Sequence, residues 1–390
     1  MKSTALYGER FSDRNIFWVA MAAVMTAAHA NLYFIVGVYL TGMAEAAWAA
    51  VGAAALASSY AASRMPYRRN AAWRMFVRMF LQRWGACWNA FVLLSSAFMA
   101  ASRAALRFYP VSAEARFMFS CASAFLICLY GLAEGSAVRV VRIEIPTGKM
   151  PRGGRFRVLQ LSDLHIGPFA YAAYVKKIVR TSLREHPDLT VITGDVVDGR
   201  VGDERGTFPF YAPFADAILE LSRASRLGAW AVPGNHDYYE GFGNSAAFMR
   251  RAGIKLLRTR SVDIGRVVLA GADDLDHEAA SGTKGLTRSE ELMASLSERE
   301  LKKFVILLRH RPKVETVTVG RFDLQLSGHT HGGQIFSLPS SRHKIPGRTK
   351  GLLPLGRGSS LYVSNGVGFV GPPMRFFAPA EIVVFDLVGI

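Results

Sequence analysis

Residues 150–390 predict an α/β fold, and residues 1–142 predict a region of about four membrane-spanning helices ahead of it. Three observations lead there. In 150–390, short apolar strands alternate with helical segments, which implies parallel pairing within a layered domain. Strand after strand ends in Gly with Asp, Asn or His just beyond it, the place where such sheets gather ligands. The first 142 residues hold apolar runs of roughly bilayer length.

Charge and cysteine content narrow the functional classes. The chain of 390 residues carries a net charge of +17, with 14 Lys and Arg against 5 Asp and Glu in 1–142 and 33 against 25 in 143–390. Both parts are basic, which suits anionic lipid, phosphorylated substrates or nucleic acid alike. No basic cluster interleaved with aromatics resembles a base-stacking platform, which argues against nucleic acid. Cys87, Cys121 and Cys128 all lie in the apolar part. An odd number there gives neither a disulfide framework nor a cysteine zinc site, and small buried hydrophobes is the simpler role.

Candidate spans are 16–40, 46–62, 84–101 and 117–137, the second weakened by its many alanines, which are nearly neutral to insertion. Arg64, Arg68, Arg69, Arg74, Arg78 and Arg83 lie between the second and third spans with no acid among them. The positive-inside rule places that loop in the cytoplasm. Two spans then return the chain to the same side, so a multi-pass protein of the inner or plasma membrane with a cytoplasmic polar domain is expected. Arg139, Arg142, Lys149, Arg152, Arg155 and Arg157 beyond the last span agree. His29 and Asn31 inside the first span are uncharged and suit helix–helix hydrogen bonds. With no charge at the middle of any span, the helices read as an anchor rather than a transport path.

In the polar part, Phe156, Val158 and Leu159 mark a strand that runs into Ser162-Asp163-Leu164-His165. Asp163 and His165, at i and i+2, should reach one ion from one side. A helix over 171–185 follows, with Val175, Ile178, Val179 and Leu183 on one face, ended by Pro187. Leu189–Thr193 is a buried strand leading to Gly194-Asp195, where Gly allows a sharp turn; Asp198 reads as a turn residue. The Gly-, Pro- and aromatic-rich stretch 199–213 reads as a surface loop near the site, 214–224 as a helix and 228–232 as a strand. That strand ends in Pro233-Gly234-Asn235-His236-Asp237. Asn235 offers a carbonyl oxygen to a cation, leaving acid or donor work to His236, with Asp237 to orient its imidazole. Val267–Gly271 is a further strand followed by Asp273-Asp274, and 279–297 carries a helix. Phe304–Leu308 delivers His310, and Leu324–Ser327 delivers Gly328-His329-Thr330-His331. Five of the nine histidines, His165, His236, His310, His329 and His331, thus stand just beyond apolar strands.

With those residues in view, the chain resembles the calcineurin-like metallophosphoesterases, whose signature blocks stand here as Asp163-x-His165, Gly194-Asp195, Gly234-Asn235-His236-Asp237, His310 and Gly328-His329-Thr330-His331. The resemblance covers about 150–390. Gly332-Gly333-Gln334, Ala270–Asp274 and Tyr362–Gly366 are most similar to the branch with an amino-terminal membrane anchor. It implies a metallophosphoesterase-type β-sandwich of two mixed sheets flanked by helices. It also implies Asp163, His165, Asp195 and His331 as ligands of one metal and Asp195, Asn235, His310 and His329 of the other, with Asp195 bridging. Arg309 and Arg311 depart from the small or neutral neighbours usual around His310, and fit either an anionic substrate or a solvated surface.

The chemistry agrees. Two divalent ions about 3.5–4 Å apart can share a hydroxide, lower its pKa and clamp both oxygens of an in-line displacement at phosphorus. Mixed imidazole and carboxylate donors favour Mn, Fe or Zn. His236 would orient the phosphoryl group or protonate the leaving oxygen. The membrane anchor and the basic loop 342–353 point to a phosphorylated or nucleotide-linked lipid. A tethered phosphodiesterase or nuclease acting on soluble substrates is the alternative, and a non-catalytic scaffold a weaker one, because no ligand position is missing.

Overall fold

The computed structural model describes residues 72–105, 109, 111–167, 170–198, 208–239, 242–274, 288–334 and 350–390. The expected spans 16–40 and 46–62, with His29, Asn31 and Arg64–Arg69, lie outside the described residues, as do 199–207 of the expected loop and 342–349 of the basic stretch. The chain divides into two compact units, with 77–130 in one and Gly131–Ile390 in the other.

Two helices among the described residues are long and apolar enough to cross a membrane: Arg83–Ala105 within α1 (Ala72–Ala105), and Glu114–Ser136 within α2 (Ala113–Ser136). At 1.5 Å per residue, their 23-residue apolar stretches each reach about 35 Å, enough for a hydrocarbon core. On α2, Met118, Phe119, Phe125, Leu126, Leu129 and Tyr130 are 45–66% exposed, an apolar surface unlike that of a soluble core helix. Arg74, Arg78 and Arg83, expected in a loop, lie within helix α1.

The second unit is a sandwich of two six-stranded mixed sheets. The first has the order β1-β12-β2-β3-β4-β5, from β1 (Val138–Thr147), β12 (Ala380–Gly389), β2 (Arg155–Leu161), β3 (Leu189–Thr193), β4 (Ala229–Val232) and β5 (Ile254–Leu256). The second has the order β10-β11-β9-β8-β7-β6, from β10 (Gly351–Gly356), β11 (Ser359–Val363), β9 (Leu324–Ser327), β8 (Phe304–Leu308), β7 (Val267–Gly271) and β6 (Arg260–Asp263). β2 to β5 are parallel in the first sheet, as are β7, β8, β9 and β11 in the second. Period-2 alternation divides each strand between two cores. Phe156 and Val158 join Val191, Leu269, Ile306, Leu326 and Phe385 between the sheets. Leu159, Leu161 and Ile192 face outward onto α3 (Ala172–Leu183), α4 (Phe208–Ala224) and α6 (Phe242–Arg251) through Ile178, Ile218 and Phe248. Across the second sheet, Val268 and Leu307 pack on Leu292 and Met293 of α7 (Arg288–Ser295).

Several boundaries move. The sandwich takes in β1, upstream of the residue 150 expected from sequence, because all ten residues of Val138–Thr147 pair in parallel with β12. Residues 208–213, expected in a loop, open α4, which carries Pro213 inside it and buries Tyr211. The basic residues beyond the last span are tied into the fold. Arg142 Nη2 meets Glu185 at 2.7 Å, Arg157 Nε meets Asp386 at 2.7 Å and Lys149 Nζ meets Asp323 at 2.8 Å, while Arg139 pairs with Glu134 and Arg155 with Glu144. Each of these charges thus has a protein carboxylate beside it, although the side chains of Arg139, Arg142 and Arg155 remain more than half exposed.

Candidate metal centre

The carboxyl ends of the two sheets meet. Gln160 on β2 donates to Thr193 Oγ1 at 2.9 Å and to Ser327 O, at the end of β9, at 3.1 Å. His310 Nδ1 lies 2.8 Å from Thr193 O, and Gly328 N donates to His310 O. Pairing of β2 with β3 continues past both strands: Asp163 N, His165 N and Ile166 N donate to Gly194 O, Asp195 O and Val196 O. The ligand-bearing loops are therefore held by the ladder that holds the strands.

Three donor groups converge there: Asp163, His165 and His331; His165, Asp195 and His236; Asp195, His310 and His329. The ligand atoms of each lie within 4.8 Å of one another. His165 Nε2 is 3.0 Å from His331 Nε2 and 3.6 Å from Asp195 Oδ2, and His331 Nε2 is 3.5 Å from Asp163 Oδ1. His310 Nε2 is 3.2 Å from each of Asp195 Oδ2, Asn235 Oδ1 and His329 Nδ1. The seven residues expected as ligands are thus brought together, with Asp195 Oδ2 near both imidazole groups. Imidazole nitrogens and carboxylate oxygens packed this closely, most of them buried, are a donor set that a divalent cation fits. His236, His329 and Asp198 keep part of their surface exposed and mark the mouth.

Backbone geometry explains how the donors converge. Asp163, His165, Asp195, His329 and His331 all have positive φ, between 44° and 70°. Asp163 and His165 consequently converge through a left-handed turn, not through the strand-like i, i+2 alternation expected. Two glycines make the required room. At Gly194, with φ +84°, a Cβ would stand 2.4 Å from His310 Nδ1, and at Gly234 one would stand 2.1 Å from Asp195 Oδ1. Asn235 and His236 open a short helix, α5 (Asn235–Tyr239), rather than extending β4, and helical rotation is what separates their side chains.

Asp237 stands elsewhere than expected. Its carboxylate accepts from Gly234 N at 2.8 Å and Val197 N at 3.1 Å, so it braces two ligand loops. Burial, with repulsion from Asp195, pushes its carboxyl up to about 7 against those amides. The carboxylate at the His236 ring belongs to Asp198, 3.1 Å from Nδ1; the same group lies 3.7 Å from His165 Nδ1. Burial opposes its ionisation, but hydrogen bonds to His165 and His236 outweigh burial and hold Asp198 below the usual carboxylate range. The sequence reads Asp198 as a turn residue; in the structure the segment that carries it is ordered by the buried pair Val196-Val197, with Val197 bridged to Ile166.

Electrostatics divide the imidazoles. Burial alone would discharge His310, yet Asp195, Asp163 and Asp274 together raise it to about 10. Burial, His165 and Arg375 drive His331 well below an ordinary histidine. Asp195, disfavoured by burial, is held well below the carboxylate range chiefly by His310. The arginines flanking His310 are both paired: buried Arg309 with Glu315, and Arg311 Nε with Asp274 Oδ2 at 3.1 Å.

These overlapping imidazole–carboxylate groups, set where two mixed sheets end, are of the kind that binds divalent metal. The sequence profile of the calcineurin-like phosphoesterases matches residues 156–333. The chain is 36% identical over 268 residues to an "uncharacterized metallophosphoesterase" of Aquifex aeolicus, covering 68% of this chain and 98% of that one. It is 34% identical to one of Campylobacter jejuni, covering 65% and 63%. It is 30% identical to a "transmembrane protein with metallophosphoesterase domain" of Danio rerio, covering 66% and 59%. The chain belongs to the calcineurin-like metallophosphoesterase family. That family consists of phosphoester hydrolases that use divalent metals.

Proposed function

We propose that this chain is a membrane-anchored, two-metal phosphohydrolase that cleaves a phosphoester or pyrophosphate bond, with a phosphorylated or nucleotide-linked lipid as its substrate class. The observation that carries the reading is the placement of Asp195, whose Oδ2 lies 3.6 Å from His165 Nε2 and 3.2 Å from His310 Nε2. One ion would be held by Asp163, His165, Asp195 and His331, and the other by Asp195, Asn235, His310 and His329. Bound divalent ions supply Lewis acidity at phosphorus and a water acidified to near neutral pH. The chain's own part falls to His236 and Asp198. Asp198 occupies Nδ1 of His236, which assigns to Nε2 the orientation of the phosphoryl group or the protonation of the leaving oxygen. Asp237 takes a supporting role, fixing Gly234 and Val197 around Asp195. The apolar outer surface of α2 and the kinship to proteins described as transmembrane support the anchor.

The test uses full-length protein purified with Mn²⁺ and assayed on soluble phosphomonoesters, phosphodiesters and lipid pyrophosphates. His236→Ala should keep its metal and lose about 10²–10⁴ in kcat, whereas Asp195→Asn should lose metal by elemental analysis. Asp198→Asn should cost about 10–100-fold in kcat or metal affinity. Equal loss of metal and activity in His236→Ala would make His236 a ligand. Absence of turnover on every substrate would return the scaffold reading.

A further inference from the structure

Residues Gly366–Pro379, between β11 and β12, form an irregular loop whose inside and outside differ. Inside, Arg375 is fully buried and donates to four backbone carbonyls: Asn365 O at 3.0 Å, Ala378 O at 2.9 Å, Gly366 O at 3.1 Å and Gly368 O at 2.7 Å. Outside, Val370 is 41% and Phe377 75% exposed. Phe377 holds φ at +56°, a conformation that bulky residues avoid. The surrounding structure thus imposes the outward display of this aromatic ring.

The loop is joined on two sides. Towards the metal centre, Val367 N donates to Ser162 O and Gly368 N to Asp163 O, while Gln334, three residues beyond His331, accepts from Val370 N at 3.0 Å. Towards the membrane, the loop grips the last turns of α2. Arg375 N donates to Gly131 O, and Tyr174 Oη donates to Gly135 O and Val367 O. Gly131 lacks the side chain that would collide with the Phe376 ring 2.5 Å away, and Gly135 the one that would meet Pro373 O at 2.6 Å.

The register along α2 sets a depth. Gly131 stands five residues before the helix end at Ser136, so the Phe376 contact lies about 7.5 Å back along the axis towards the span. Interfacial apolar groups seat about 5–10 Å into the boundary between headgroups and acyl chains. Lys350 Nζ, 3.3 Å from Phe377 O, puts a cation at the same place, where anionic headgroups favour it.

We infer that the loop Val370–Phe377 is a membrane-interface element, with Phe377 and Val370 seated in the phospholipid bilayer beside the end of α2. The inference rests on α2 crossing the membrane and on the proposed function, and it favours an amphiphile over a soluble phosphoester as substrate.

The test places a nitroxide at position 377 by Phe377→Cys in the full chain, with Cys87, Cys121 and Cys128 replaced by Ala, in phosphatidylcholine–phosphatidylglycerol nanodiscs. The 69%-exposed Val317, on another loop, receives the same label for comparison. Relaxation by oxygen should exceed relaxation by a water-soluble nickel chelate at 377, with the ratio reversed at 317. A 377 label as open to nickel as that at 317, in protein retained by the disc, overturns the inference. So does a label shielded from both relaxants, which would mean protein covers the loop. Protein that does not remain with the lipid at all would instead overturn the anchor itself.

Discussion

Five of the seven residues expected as ligands have positive φ, and none of the five is glycine. Each costs on the order of 1 kcal/mol in backbone strain, and such strain persists only where surrounding structure over-determines it. Here the continuing ladder between the 162–166 and 194–197 segments supplies that constraint. The cradle is correspondingly intolerant of extra atoms. Gly234→Ala, whose Cβ would press on Asp195 Oδ1, should lower metal affinity by about 10–100-fold in an equilibrium metal titration. Gly148→Ala, with nothing within 4 Å of the added atom, should leave metal affinity unchanged. Which residue types gather at the site was legible from the strand-end positions of Asp163, Asp195, Asn235, His310, His329 and His331. What was not legible was how they turn inward, because positive φ at Asp or His leaves no mark in hydropathy. The orienting carboxylate was misplaced for a related reason: Asp237 and Asp198 look alike in sequence, and only the fold of α5 against the 195–198 segment sends one to backbone amides and the other to His236.

At the scale of elements, the buried parallel strands β3, β4, β7 and β8 could be read directly, since strands covered on both faces are nearly continuous apolar runs. The edges could not. β1, β6 and β10 carry charge or proline and keep residues exposed, and β1 in addition pairs with a strand more than 200 residues further along the chain. The ion pair of Arg157 with Asp386 shows how such long-range pairing is secured, linking β2 to β12 through a bidentate contact at 2.7 and 3.0 Å. That hydrogen-bonded contact holds the Asp386 carboxyl below its ordinary value. A lowered folded-state value gives stability that is complete above the unfolded carboxyl pKa of about 3.9 and disappears as pH falls through the folded value. Arg157→Met should therefore lower unfolding stability by about 1–2 kcal/mol at pH 7. In thermal unfolding, the gap between variant and parent should close as the solution is acidified below about pH 4. A gap independent of pH would assign the loss to packing of the arginine stem.

At the scale of the whole molecule, the chain joins an apolar helical unit to a polar sandwich, and the two parts call for different tests. Composition alone separated them, because apolar runs and charged residues concentrate in different parts of the chain. The number of spans was less legible, since an alanine-rich stretch such as 46–62 is nearly neutral to insertion. Alkaline carbonate washing of membranes from expressing cells should leave most of the chain in the pellet, as expected of a spanning helix rather than an electrostatic association. Release into the supernatant would reduce α2 to a surface-bound helix.

The position of β12 also has a bearing on synthesis. It lies between β1 and β2, and it follows every other strand of both sheets in chain order. β1 leaves the ribosome directly after α2, yet its neighbour in the sheet among the described residues is β12. At about 5–20 residues per second, the more than 200 residues between them take tens of seconds to emerge, long after the preceding helices could enter a bilayer. Throughout that interval β1 and β2 have open edges, and the loop that backs Asp163 has not yet been made. If α1 and α2 insert as proposed, insertion and completion of the site are separated in time: the helices enter the bilayer ahead of an unfinished sandwich, and the loop behind Asp163 closes the site only once β12 has emerged.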